Sequence, residues 1–103
     1  MSEVIRSNGC VCNWNDTGDF IVNMSVWVPG GLGAYKPVYT GRLSSLEEVK
    51  EAIRNHAADN VLWSVVDFDT RDYLYDGVGQ KLVYEYHSRD QADHYPDGKP
   101  GWL

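Results

Sequence analysis

The chain has 103 residues, 43% hydrophobic and 23% charged, the size and balance of one domain with its own core, which leaves no room for a two-domain or Rossmann-size enzyme. Fifteen Asp and Glu against nine Lys and Arg give a net charge of −6, carried unevenly: residues 1–58 hold six acids and five bases, residues 59–97 nine acids and three bases. A field of that sign argues against direct nucleic-acid binding, which rests on clustered Lys and Arg neutralising phosphates, and favours a partner with a basic surface.

The first eight residues, Met1 to Asn8, contain no apolar signal core, and no run reaches the ~18–20 apolar residues of a membrane span. Cysteine is confined to Cys10 and Cys12. These features lead us to expect a cytoplasmic protein with both thiols reduced.

In chain order, Cys10–Trp14 and Phe20–Val28 flank the turn formers Asn15-Asp16-Thr17-Gly18-Asp19, the pattern of a hairpin. Phe20, Val22, Met24, Val26 and Val28 alternate with Ile21, Asn23, Ser25 and Trp27, so one side of this strand covers a core and Trp27 lies on the other. After Pro29–Gly33, Tyr35–Thr40 reads as a third strand, placed at an edge because Pro37 has no N–H to give. Gly30, Gly31 and Gly33 lack the Gly-Lys-Ser/Thr ending of a phosphate loop and read as a turn.

Ser44–Ala57 is a helix. Ser44 with Glu47, or Ser45 with Glu48, makes a capping box, and Leu46, Val49, Ile53 and Ala57 form the buried stripe. Val61–Phe68 is apolar on both sides, as a central strand is, and Lys81–His87 is the last strand. The expected fold is therefore α+β: a mostly antiparallel sheet of about five strands, β-β-β-α-β-β, with one helix packed on one face. Residues 1–87 form the domain, and 88–103 is a polar tail or draped segment pinned by Trp102 and Leu103.

No catalytic signature emerges, and no cofactor or metal is expected. Cys10 and Cys12 share a strand face with the side chains parallel, poor geometry for a disulfide. With His87 and His94 they could supply four zinc ligands, but the local pairs C-x2-C and H-x3–5-H are absent. Asp67-Phe68-Asp69-Thr70 matches the D-x-D-T of haloacid-dehalogenase-type phosphatases, yet fewer than forty residues follow it, too few for that fold. A calcium loop starting at Asp67 fails because its sixth position is Asp72 and its twelfth Val78. The alternative to a binding role is a small metal- or thiol-dependent enzyme using Cys10, Cys12 and His87, or an accessory subunit docking through its C-terminal tail.

What the sequence does offer is carboxylates and large amphipathic rings, including seven Tyr and four Trp. Such rings anchor interfaces. The expected partner-binding residues are Asp67, Asp69, Asp72 and Asp76 as charged contacts and Tyr73, Tyr75 and Trp27 as anchors. A short, acidic, motif-poor chain is similar in kind to phage and mobile-element inhibitors of the anti-CRISPR and antirestriction type, which occlude a nucleic-acid-binding surface; the likeness is one of composition, with no motif shared.

Overall fold

The computed structural model describes residues 4–5, 9–28 and 34–103. Among them are eight strands and one helix: β1 (Val4–Ile5), β2 (Val11–Trp14), β3 (Phe20–Trp27), β4 (Tyr35–Leu43), α1 (Leu46–His56), β5 (Val61–Asp67), β6 (Tyr73–Val78), β7 (Lys81–Ser88) and β8 (Gln91–His94). The strands form a single sheet in the order β1-β2-β4-β3-β5-β6-β7-β8, antiparallel throughout except where β2 runs parallel to β4. The protein is mostly β, which corrects the expected five-stranded α+β sheet in strand number, order and balance. The turn-rich stretch after Asp67 contains β6, the polar C-terminal segment contains β8, and β1 adds the opposite edge. The turn Pro29–Gly33 lies outside the described residues.

The first two long strands are not a hairpin. β4 lies between β2 and β3, with Cys12 opposite Thr40 on one side and Asn23 opposite Thr40 on the other. The connection from Asn15 to Asp19 therefore spans two strand spacings, about 9.6 Å, across the end of β4. Asn15 N–H donates to the Arg42 carbonyl at 2.9 Å, and Gly18 passes so close that a Cβ there would stand 2.7 Å from the Leu43 carbonyl oxygen. Glycine at 18 is what lets the chain cross over.

Pro37 is likewise not on an edge strand. It sits opposite Ser25 at a bulge, beyond the Tyr39–Arg42 stretch of β4 that β2 pairs with. Proline is tolerated there because only one neighbour needs hydrogen bonds.

The helix forms as its caps dictate. Ser45 is the N-cap and accepts the Glu48 N–H at 3.2 Å, while Ser44 donates to the Glu48 carboxylate at 2.8 Å. At the other end the Gln80 amide donates to the Ala57 carbonyl at 2.6 Å, a group that the helix terminus leaves open, and to the Ile53 carbonyl at 2.8 Å, which also accepts the Ala57 N–H. Val49, Ala52 and Ile53 are buried with Val22, Met24, Tyr39, Leu43 and Val65 of the sheet. Each of the Val, Leu, Ile and Met side chains among them contributes roughly 1.5–3 kcal/mol by leaving water.

The rest of this face is covered by the C-terminal segment. Tyr95 and Lys99 donate backbone N–H groups to the carbonyls of Val83 and Leu82, and Trp102 is buried, stacked on Trp63 at 5.7 Å and tilted against Tyr75 at 5.1 Å. Trp63 fits because its register partner is Gly77, where any Cβ would overlap the indole and the Lys81 carbonyl; its ring N–H donates to the Gly79 carbonyl at 2.9 Å. Among the described residues no helix is long and apolar enough to cross a membrane.

Candidate functional site

The helix and the C-terminal segment cover one face of the sheet, and the side chains of the other face point away from them. Strand alternation and register give its layout. A polar row crosses the sheet, Cys12–Thr40–Asn23–Ser64–Asp76–Tyr84–His94, each residue opposite the next. A second row beside it runs Trp14–Arg42–Ile21–Val66–Tyr73. On the other flank lie Leu62, opposite Ser25 and Val78, and then Trp27 opposite Tyr35. β5 is central, as its composition predicts, yet Leu62 on this side is 41% exposed.

Several of the rings brace one another. Trp27 and Tyr35 meet edge to face at 4.9 Å, Tyr84 stacks on His94 at 4.5 Å, and Tyr86 lies 6.1 Å from both Tyr73 and Tyr84. Thr40 donates to the Asn23 side chain at 2.9 Å within the polar row. Rings held by neighbours lose little entropy on binding.

Asp76 occupies the middle of the tyrosine group. The Tyr86 hydroxyl donates to its carboxylate at 2.6 Å. Partial burial pushes the Asp76 carboxyl above its ordinary range, against the pull of that hydrogen bond, and the Tyr86 phenol is pushed up to about 12 because it donates to Asp76. A shallow depression of about 430 Å³ opens above the pair, walled by Asn23, Leu62, Ser64 and Tyr73. A second, of about 410 Å³, shares the Tyr73 and Tyr86 wall and is lined by Arg71, Asp72 and Arg89.

The four aspartates expected to act together are dispersed. Asp67, at the end of β5, accepts the Asp69 and Thr70 N–H groups at 2.9 Å each and so builds the turn; the Thr70 bond foremost holds its carboxyl below the ordinary range. Asp69 and Asp72 are exposed in the connection to β6, beside Arg71, which with Arg42 sandwiches Phe68: the guanidinium of Arg42 is 3.4 Å and that of Arg71 4.7 Å from the ring centre. Asp76 alone lies in the open face. Tyr73 and Trp27 are on that face too, 58% and 48% exposed, whereas Tyr75 pairs with Val65 and packs against Trp102 on the covered side.

Tyr84 and Tyr86 were not among the expected contacts. Their spacing of two within β7 was the available signal: it puts both on one face, and only the register shows that this face is Asp76's.

The thiols and imidazoles do not converge. Cys10, just before β2, is buried and Cys12 on β2 is half-buried, five strand spacings from His87 on β7 and six from His94 on β8, about 24 and 29 Å. His87 instead meets Asp93 at 2.7 Å, with Glu85 close enough for all three ligand atoms to lie within 4.8 Å of one another. Lys99 already stands 3.0 Å from Glu85, and Tyr95 reaches both carboxylates at 3.3 and 3.4 Å. This cluster is a clasp that ties β8 and the C-terminal segment to β7.

Comparison with protein-family models, with curated proteins and with solved structures finds no match to this chain.

Proposed function

We propose that this protein is a cytoplasmic binding module that docks through the open face of its sheet onto a basic surface of a partner protein, as an inhibitor of the phage or mobile-element kind does when it occludes a nucleic-acid-binding surface. The observation that carries the reading is the face that no other described element covers, a polar row that includes Tyr84 and is flanked by Trp14, Trp27, Tyr35 and Tyr73, each of these five an exposed ring. Exposed apolar residues gathered on one surface mark interaction sites, and Tyr and Trp are their usual anchors. The net charge of −6 supports a basic partner over an acidic one.

The test compares capture of host proteins by the wild type with capture by a Trp27→Ala/Tyr73→Ala double variant, and measures association rates at low and moderate salt for the protein retained. Loss of that protein by the double variant, with slower association at higher salt, is the expected outcome. Asp69→Lys with Asp72→Lys slows association further while changing dissociation little, as peripheral charges do. Undiminished capture by the double variant overturns the reading.

A further inference from the structure

Resting on the docking reading above, the next inference concerns the group that enters the face. We propose that the depression above Asp76 takes the guanidinium of an arginine side chain of the partner protein, paired with the Asp76 carboxylate and stacked on the tyrosines around it. Asp76 is the half-buried carboxylate of the open face, and its only hydrogen-bond donor among the described residues is the Tyr86 hydroxyl. The ion pairs found among those residues, His87 with Asp93 and Lys99 with Glu85, lie on the other side of the sheet.

A carboxylate withdrawn from water with no countercharge is unfavourable, and a cation supplied by a ligand relieves it. The Tyr86 bond leaves the second carboxylate oxygen for a donor, and Ser64 and Asn23 continue the polar row beside it. Tyr73 and Tyr86, their ring centres 6.1 Å apart, line the depression beside the carboxylate.

Arginine fits better than lysine. Its planar fork pairs with a carboxylate through two donors and stacks on a ring at the same time, whereas an ammonium is a compact, strongly hydrated charge. The molecule uses this packing elsewhere, where Arg42 lies 3.4 Å above the centre of Phe68. A metal ion is a poorer occupant, because the groups of potential ligands gathered among the described residues do not include Asp76. Arg71 and Arg89 line the neighbouring depression, beyond Tyr73 and Tyr86, so a second positive charge is unwelcome there and the inserted arginine stands alone.

The experiment is an NMR titration of ring-labelled tyrosine in the full chain with N-acetyl-arginine amide, with its neutral isostere N-acetyl-citrulline amide and with N-acetyl-lysine amide. The arginine compound shifts Tyr73, Tyr84 and Tyr86 saturably, binding about tenfold more tightly than the citrulline compound and more tightly than the lysine one. Asp76→Asn abolishes that preference, while Tyr86→Phe, which keeps the carboxylate, retains it. Absence of saturable shifts in the wild type, or equal binding of citrulline and arginine, overturns the proposal without needing any variant to fold. If Asp76→Asn still captures the partner in full while Trp27→Ala/Tyr73→Ala does not, the arginine site falls and the docking face stands; if both capture it, the docking reading falls.

Discussion

On the side covered by α1 and the C-terminal segment the sheet presents Val22, Met24, Tyr39, Leu43, Trp63 and Val65, none more than 3% exposed; one residue along the same strands, the opposite side presents Asn23, Leu62, Trp27 and Tyr73 to solvent. Both faces carry tryptophan and tyrosine. On the covered face Trp63 is clamped from above by Trp102, and its ring N–H finds a backbone partner. The rings of the open face lean on one another, and Trp14, Trp27, Tyr35, Tyr73 and Tyr84 remain exposed. Aromatic content is therefore a poor guide to which face binds, and what separates the two roles is whether another element lies on top.

The sharpest way to break this comparison is to remove one indole from each face. Trp63→Ala should cost about 3–5 kcal/mol of unfolding free energy, through the cavity it leaves under Trp102 and the Gly79 carbonyl it strands. Trp27→Ala, at an exposed site, should stay within roughly 0.5 kcal/mol of wild type. Urea unfolding of both variants checks the contrast, and equal losses would mean that the open face is part of the core.

Next in size is Gly77→Ala. Its methyl group would occupy the space of the Trp63 ring and the Lys81 carbonyl, so overpacking should destabilise the fold by about 1–3 kcal/mol. The same denaturation experiment reads it, and a neutral result would show that β6 can lift from Trp63 at no cost.

The smallest effect is confined to the clasp between β7 and β8. Hydrogen bonding to Asp93 raises His87 above 6.5, and the His87 bond lowers Asp93 below 3.8. The His87 contribution is complete below its unfolded value and is lost as pH rises through the raised one; the Asp93 contribution is complete above its unfolded value and is lost as pH falls through the lowered one. Pairing of β8 should thus be firmest between about pH 4 and 6.5. Amide exchange of residues 91–94, corrected for intrinsic rates, should quicken above that window in the wild type and lose this dependence in Asp93→Asn.

The elements whose signals are local were legible in the sequence. Alternation across Phe20–Val28 gave the right buried side of β3, and Ser45 with Glu48 gave the helix start. Partnership was not legible, because it depends on contacts far apart in the chain. Asp76-Gly77 reads as a turn until Trp63 is seen to need the empty space at 77. Gln91–His94 has no apolar period because β8 is an exposed edge, paired on one side only. The Cys10–Val28 segment resembled a hairpin since nothing local tells that a later strand will fill the gap.

The candidate site divided in the same way. Residue type picked out Tyr73, Trp27 and Asp76, which lie on the open face, and on the same grounds Tyr75 and Asp67, which are occupied in packing and in a turn. Composition identifies which side chains can bind, but only register decides which of them look outward together.

The crossover at Gly18 also bears on the order in which the sheet can assemble. β3 pairs with β4, and β5, β6, β7 and β8 pair in succession, so most of the sheet grows from neighbours in sequence. β2 is different: its only long partner begins more than twenty residues later, and its place beside β4 does not exist until β4 has settled against β3. Loop-closure entropy then makes β2, with β1 behind it, a late addition, and until it arrives the flank of β4 is an unpaired strand edge open to other chains.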